Sequence, residues 1–159
     1  MKLYIRQRIF SWGDKFDVVD EYGNSRYFVY GDVFTWGKKL HITDPWDREV
    51  YYISQPILLW MPTYELYRGG KNGTYTGTVH KKFTLFFCRY TVDGLGWTVE
   101  GDFTDHEYEI KDGADRTVAT ISKKWFTWGD SYEIAIADDT HELDALAVML
   151  CIDAACHSD

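Results

Sequence analysis

The sequence is poor in cysteine and proline, and it contains no long uninterrupted apolar segment. Its 159 residues include three cysteines and three prolines. So few cysteines do not make a disulfide framework and favour a reducing compartment, so we expect a cytoplasmic protein. A membrane-spanning helix needs about 18 apolar residues in a row, and Arg6 and Arg8 interrupt what could have been the apolar core of a secretory signal. We therefore expect a soluble chain without a transmembrane segment.

An excess of positive charge is also lacking. The formal net charge is −8 at pH 7. A negative overall field repels nucleic acid and acidic membranes, although a local basic patch can still attract phosphate. The composition therefore predicts no nucleic-acid partner.

The motifs that usually mark an active site are absent. No phosphate-binding Walker loop and no G-x-G-x-x-G fingerprint occur, and the histidines have no serine or cysteine motif beside them. Asp105-His106-Glu107 could suggest acid–base chemistry, but alternation along a strand would send His106 to the opposite face from its neighbours, so we expect a solvated strand. The spacing of Cys151, Cys156 and His157 does not match a zinc site, and we expect buried thiols. We predict no catalytic residue, no cofactor and no metal, and hence no enzyme.

Aromatic residues are abundant, at 18% of the chain, and turn signals recur at regular intervals. Short runs rich in Val, Ile, Thr, Tyr and Phe separate these turns, which is typical of a β-sandwich or a barrel. Two strands around each turn, with one more pair before the C-terminal segment, give about twelve strands. The turn signals are Asp20–Asn24, Asp44–Asp47, Gly69–Gly73, Asp93–Gly96 and Asp112–Asp115.

The chain also repeats itself. A shift of 68 positions places residues 42–65 over 110–133, and ten of these 24 positions are identical. This agreement indicates an internal duplication built from hairpins.

A shorter repeat ends in a Trp-Gly pair at Trp12, Trp36 and Trp128, and Trp12, Trp36 and Trp60 are spaced 24 residues apart. Trp36 and Trp128 lie in near-identical Phe-Thr-Trp-Gly segments, and Trp12 in a Phe-Ser-Trp-Gly segment. A ligand-binding aromatic platform is one interpretation of these corners. We favour the structural one, in which the glycine allows a tight bend and the tryptophan caps the core at the barrel rim.

The C-terminal segment predicts a buried helix over about residues 140–156. Asp139 and Glu142 have the spacing of a capping box, and residues 145–152 are apolar on every face. Roughly 17 residues at 1.5 Å each span about 25 Å, which suits a barrel of short strands better than a bilayer. A closed barrel of about twelve strands is too wide for its own side chains to fill. The sequence thus predicts one domain over residues 1–159: a mainly β, twelve-stranded closed barrel of repeated hairpins over about residues 2–137, which encloses this central hydrophobic helix.

Three lysine pairs are the candidate binding residues. They are Lys38-Lys39, Lys81-Lys82 and Lys123-Lys124, and each of the last two leads into an aromatic-Thr strand. If the hairpins bring them to one rim, Lys81, Lys82, Lys123 and Lys124 could contact an anionic headgroup. The alternative is that they keep strand ends soluble and prevent edge pairing.

The chain resembles the LURP-one-related proteins, in particular their small bacterial members, within the tubby C-terminal-like superfamily that also includes the phospholipid scramblases. The resemblance covers essentially the whole chain. It rests on the segments Ile9–Asp14, Tyr64–Arg68, Ile121–Trp128 and Asp138–His157.

This resemblance implies a twelve-stranded barrel around a central hydrophobic helix. Bacterial LURP-one-related proteins have no agreed biochemical role, and the plant members are linked to defence. Tubby proteins, in the same superfamily, bind phosphoinositides. No tubby headgroup residue is carried over to this chain. We therefore expect a non-enzymatic binding or tethering module that recognises a phospholipid headgroup or a protein at its loops and rim. The alternative is a structural or protein-interaction scaffold with no small ligand.

Overall fold

The chain forms a closed barrel of twelve antiparallel strands around one α-helix. The computed structural model describes residues 1–5, 15–32, 36–57, 61, 63–83, 88–126 and 129–156. Each strand pairs with its neighbours in sequence, and β1 pairs with β12 to close the barrel. The predicted fold class is therefore confirmed. The strands are β1 (Lys2–Ile5), β2 (Phe16–Asp20), β3 (Ser25–Gly31), β4 (Lys39–Thr43), β5 (Glu49–Ser54), β6 (Thr63–Arg68), β7 (Thr74–Phe83), β8 (Cys88–Asp93), β9 (Trp97–Asp102), β10 (Glu107–Lys111), β11 (Thr117–Phe126) and β12 (Gly129–Ile136).

The predicted duplication corresponds to two opposite parts of the barrel. Strands β4–β6 and β10–β12 are six strands apart in a ring of twelve. Asp44 and Asp112 build the same turn, because each carboxylate accepts backbone hydrogen bonds from residues two and four positions later. The fourth residue of each turn, Asp47 and Asp115, has a positive φ of 62° and 61°. The shared sequence therefore encodes a shared turn.

Strand alternation directs one set of side chains into the barrel. On β5 the inward residues are Tyr51 and Ile53, which are fully buried, and the same alternation holds for Val79 on β7 and Ile121 on β11. A barrel of twelve strands leaves an axial space that these side chains do not fill by themselves. The helix fills it.

Helix α1 (Glu142–Cys156) is buried on all sides. Every residue from 145 to 152 is at most 1% exposed. No α-helix other than α1 occurs in the described part of the chain. None of its helical segments combines the length and apolar character that crossing a membrane requires.

The start of the helix differs from the sequence prediction. A single turn of 3₁₀-helix (Asp139–His141) precedes α1, and its N-cap is Asp138, whose carboxylate accepts the Thr140 amide hydrogen bond at 2.9 Å. The capping box predicted from Asp139 and Glu142 was therefore wrong. The Glu142 side chain instead pairs with Arg26 on β3, an interaction between residues 116 positions apart that no local pattern could indicate.

The two ends of the barrel differ in what they carry. We call one the turn end, because it holds the tight turns after β2, β4, β6, β8 and β10. The other is the lysine end, where Lys38, Lys81 and Lys123 lie. The helix begins at the turn end, where Glu142 meets Arg26 beside the β2–β3 turn. It finishes at the lysine end, where Lys38 contacts its last turn.

Candidate functional site

Polar contacts fix the first turn of the helix at the turn end. Asp144 is 2% exposed, and its carboxylate accepts hydrogen bonds from Tyr51 Oη at 2.7 Å and from the Arg68 guanidinium. Glu142 receives two hydrogen bonds from Arg26, at 2.8 and 3.0 Å. Carboxylates are favourable at a helix N-terminus. Burial, and then the charge of Asp144, raise the pKa of Tyr51.

A lysine stabilises the last turn of the helix. The Lys38 ammonium donates a hydrogen bond to the Ala154 carbonyl at 2.9 Å. The last carbonyls of a helix have no partner within it, and a cation there also interacts favourably with the helix dipole. Burial lowers the pKa of Lys38, while the nearby Asp153 carboxylate opposes that change.

A buried histidine–carboxylate pair lies beside this last turn. His106 Nε2 is 2.7 Å from Asp153 Oδ1, and the two residues are 6% and 3% exposed. The His106 ring also packs on Tyr132, with ring centroids 4.3 Å apart. His106 has a positive φ of 56° and precedes β10 rather than lying in it. The prediction of a solvated strand was therefore wrong for His106, because a turn sends its side chain inward.

The barrel topology brings the three lysine pairs to one end. Lys81-Lys82 and Lys123-Lys124 lie in the second halves of β7 and β11, which run in the same direction. Strand β4 runs in the opposite direction and begins at Lys39, directly after Lys38. Within each pair, alternation sends the two side chains to opposite faces of the sheet. The first lysine of each pair is on the inward face and the second is on the outward face.

The inward lysines of β7 and β11 already have neighbours in the barrel. Lys81 Nζ lies 5.0 Å from the Phe83 ring centroid and 6.0 Å from that of Tyr90. Lys123 pairs in register with Tyr132, the residue that contacts His106. On the outward face Lys82 is exposed, and Lys124 Nζ lies 3.9 Å from Glu133 Oε1. Lys82 and Lys124 are therefore the members of the predicted set that face away from the helix.

The Trp-Gly corners can be assessed at one position. Gly37 has a positive φ of 77°, as a tight bend requires, but the Trp36 side chain is 83% exposed. The prediction that this tryptophan caps the core was therefore wrong, because the bend turns its ring into solvent. Trp12, Trp60 and Trp128 lie outside the described residues.

The two cysteines of the helix have the environments of unreactive thiols. Cys151 is fully buried and Cys156 is half-buried, with its Sγ 3.8 Å from Tyr90 Oη. Burial raises the pKa of both thiols. His157 lies outside the described residues, and within those residues no three His, Cys, Asp or Glu side chains form a group that could hold a metal ion.

The outer surface carries a feature that sequence analysis missed. Five aromatic side chains on five neighbouring strands form one continuous row, with successive ring centroids 4.9, 5.1, 6.0 and 5.8 Å apart. Each is the register partner of the next. We call this set the aromatic row. It consists of Tyr30, His41, Tyr52, Tyr67 and Tyr75.

Carboxylates border the aromatic row. His41 Nε2 lies 2.9 Å from Asp32 Oδ1, and its Nδ1 contacts Glu49. Tyr67 Oη donates to Glu65 Oε2 at 2.9 Å. That hydrogen bond, and then burial, raise the pKa of Tyr67. Polar-apolar alternation in each strand was visible in the sequence, but the alignment of five strands requires their register.

The architecture defines the class of protein: an up-and-down barrel closed around its own C-terminal helix. A family model described as LURP-one-related matches residues 1–153. The chain therefore belongs to the LURP-one-related family, as its sequence motifs predicted.

One relative supports this assignment, and one solved structure has a similar fold. The chain is 31% identical over 159 residues to the "Uncharacterized protein YxjI" of Bacillus subtilis, a match that covers 100% of this chain and 96% of that protein. It is also similar to the X-ray structure of the Arabidopsis thaliana protein AT5G01750, with a TM-score of 0.65 and 18% identity over 94% of this chain and 88% of that one. The second likeness concerns the fold alone.

Proposed function

We propose that this protein is a non-enzymatic binding or tethering module that recognises a phosphate-bearing lipid headgroup at the lysine end of its barrel. The observation that carries the proposal is that three lysine pairs, widely separated in sequence, lie at one end of the barrel. Lysine acts on phosphate as a compact point charge, and several such charges at one surface reinforce one another. The three free cysteines also favour work in the reducing cytoplasm.

The outward lysines are better placed for this role than the inward ones. Lys38 is already bonded to the helix end, and Lys81 lies over two aromatic rings. Lys82 is exposed, and the 3.9 Å contact of Lys124 with Glu133 is a long one whose lysine is partly exposed, while Glu133 keeps Lys2 and Tyr4 as partners. Such surface ion pairs are weak, so a phosphate could replace Glu133 as the partner of Lys124. We expect Lys82 and Lys124 to contribute more than Lys81 and Lys123.

Flotation of the purified protein with liposomes tests this proposal. Vesicles of neutral phosphatidylcholine are compared with vesicles that also contain phosphatidylserine or a phosphoinositide, at physiological salt. The proposal predicts flotation with the anionic vesicles, and its loss in the Lys82→Glu/Lys124→Glu variant. Each lysine near an anionic surface contributes about 1 kcal/mol, so even neutralisation of the pair should weaken binding by roughly tenfold or more.

A matched variant distinguishes the contribution of the lysine end from that of the net charge. Lys71→Glu/Lys111→Glu changes the net charge by the same amount at or near the turn end. This control should float like the unmodified protein. Equal losses in both variants would mean that overall charge alone controls binding, and absence of flotation with every lipid would end the headgroup proposal.

The second candidate function is a protein-interaction scaffold with no small ligand. The aromatic row favours it, because large aromatic side chains with polar tips are enriched at protein interfaces. This alternative uses the outer wall of β3–β7 rather than the barrel end. The two candidates can therefore be tested independently.

A further inference from the structure

The aromatic row spans the outer wall from β3 to β7. Tyr75, at one end of it, is 51% exposed, and Tyr30 and Tyr67 are partly exposed, while Tyr52 in the middle is buried among its neighbours. The row is thus accessible at its two ends and covered in its middle. Cross-strand aromatic pairs stabilise sheets, so a purely structural role must be considered first.

The duplication provides an internal comparison for that structural role. On the opposite wall the corresponding register partners run across β9, β10, β11, β12 and β1. That row consists of Glu100, Glu109, Thr120, Ala135 and Lys2. The repeated barrel thus closes on that side without any ring at these positions. The scaffold does not require the aromatic row, and its restriction to one wall indicates a role in recognition.

The charges beside the aromatic row define the kind of partner. Asp32 and Glu49 flank His41, and Glu65 accepts the Tyr67 hydroxyl. Among the described residues, Glu65 has no cationic partner. Tyrosine faces attract cations, and nearby carboxylates add a direct charge attraction. A net charge of −8 reinforces both.

We propose that the aromatic row binds a polypeptide segment that carries arginine or lysine side chains. In this arrangement a cationic side chain lies over the rings of Tyr67 and Tyr75 and reaches the Glu65 carboxylate. Arginine is the better fit, because its planar group stacks on an aromatic face and can pair with a carboxylate through two hydrogen bonds. This inference specifies the partner of the interaction-scaffold candidate and does not depend on lipid binding at the lysine end.

Fluorescence anisotropy with a defined probe tests the proposal. The probe is a short fluorescein-labelled peptide of alternating arginine and serine, and its control carries uncharged citrulline in place of arginine. The arginine peptide should bind at physiological salt and the citrulline peptide should not. The Tyr67→Leu/Tyr75→Leu variant keeps the net charge and should bind about tenfold more weakly.

The opposite wall provides the matched control. Thr120→Leu/Ala135→Leu places leucine at two positions of the opposite row, on β11 and β12, without changing the net charge, and should leave peptide affinity unchanged. Backbone amide NMR shifts on titration should change along the aromatic row and stay constant at Glu100 and Glu109, which are acidic but have no rings beside them in their row. If the tyrosine pair variant does not fold, Tyr75→Ser alone, at the exposed end, should still lose affinity.

Each contrary result has a definite meaning. Equal affinity of the tyrosine variant and the unmodified protein, or equal shifts on both walls, would show that net charge alone attracts the peptide and would overturn the proposal. No binding of the arginine peptide would do the same. Concentration-dependent self-association that the tyrosine substitutions abolish would instead assign the row to contact between copies of the chain. Flotation of the tyrosine variant, measured separately, reports only on the lysine end.

Discussion

Tyr51 Oη donates a 2.7 Å hydrogen bond to Asp144 Oδ1, at the point where the helix enters the barrel. The second carboxylate oxygen of Asp144 accepts from Arg68. The two donors come from neighbouring strands, β5 and β6, and the acceptor from a helix more than 70 residues later. This contact fixes both the depth and the rotation of the helix in the barrel.

The two donors to Asp144, Tyr51 and Arg68, should contribute different amounts to the stability of the fold. Arg68→Ala leaves the buried Asp144 charge without its cation, and because Arg68 is half-exposed we expect a loss of about 2–3 kcal/mol, below the 3–5 typical of fully buried pairs. Tyr51→Phe removes the hydrogen bond to Asp144 and the 2.9 Å contact with Thr76 Oγ1, and should cost about 1–2 kcal/mol. Urea denaturation of both single variants, the double variant and Asp144→Asn measures the coupling. Strictly additive losses would show that the carboxylate does not join the two strands.

The helix interior should tolerate a change of shape but not a charge. Leu146 and Leu150 are fully buried, so Leu146→Asp or Leu150→Asp introduces an unpaired charge that costs several kcal/mol against a total stability of roughly 5–15 kcal/mol. We expect either variant to be unfolded by circular dichroism. Leu146→Met, a change of similar volume, should cost less than about 1.5 kcal/mol. A folded Leu146→Asp protein would contradict the central position of the helix.

The two copies of the duplicated turn should respond alike to acid. The backbone and guanidinium of Arg116 lower the pKa of Asp112. Desolvation raises the pKa of Asp44, but hydrogen bonds from Arg48 and Trp46 outweigh it and lower that pKa as well. The stability from each carboxylate is therefore complete above the unfolded pKa of about 4 and is lost as the pH falls through the lower folded value.

Substitutions at these two aspartates test that prediction. Asp44→Asn and Asp112→Asn should each reduce the fall in urea midpoint between neutral and acidic pH, by similar amounts, and the double variant should reduce it further. Asp139→Asn, at an exposed carboxylate outside both turns, is the control. Clearly unequal effects of the two turn variants would mean that the turns do not share one energetic role despite their shared geometry.

Buried tyrosines should make the barrel sensitive to alkali. Burial is the main cause that raises the pKa of Tyr51, Tyr90 and Tyr108, and it raises the pKa of Tyr4 to about 12 with help from Glu133. A raised folded pKa gives stability that is present below the unfolded value of about 10 and is lost as the pH rises through the folded value. The urea midpoint should therefore fall above pH 10. Tyrosinate absorbance should appear together with unfolding, and Tyr51→Phe should make the fall less steep.

The fold could be predicted because its signals are local. Each hairpin turn places Asp or Gly where a positive φ or a side-chain-to-backbone hydrogen bond is needed, as at Asp44 and Asp112. The helix is uniformly apolar from residue 145 to 152, which only complete burial explains. Counting the turns gave the number of strands, and that number required a filled lumen.

The candidate sites could be predicted only in part, because they depend on register and on turns. The shared end of the lysine pairs follows from strand direction, yet alternation separates Lys81 from Lys82. The aromatic row appears only when five strands are aligned, since Tyr30 and Tyr75 are 45 positions apart. The outward ring of Trp36 depends on the bend at Gly37, and an aromatic residue in the sequence does not reveal which way such a bend faces.

The contact between His106 and Asp153 leads to a last prediction, about how the lysine end is held to the helix. Asp153 is 3% exposed and has His106 at 2.7 Å, and the ammonium of Lys38 is close enough to influence it. His106→Ala would leave a buried carboxylate without its ring partner in a backbone conformation that alanine adopts poorly. Asparagine at position 106 accommodates the positive φ and retains a hydrogen-bond donor. Glycine at this position also accommodates the positive φ but supplies no side-chain donor.

We expect the unmodified protein to be the most stable, followed by His106→Asn and then by His106→Gly and His106→Ala. The two variants without a side-chain donor should lose about 1–3 kcal/mol. Hydrogen exchange should localise the loss to the last turn of α1 and to the start of β10, because these are the segments that the pair joins. Asp153→Asn in the His106→Ala background replaces the buried carboxylate with an amide and should recover part of the stability. If His106→Gly were as stable as the unmodified protein, the backbone conformation would be the main contribution of this residue, and its pairing with Asp153 would not hold the helix end in place.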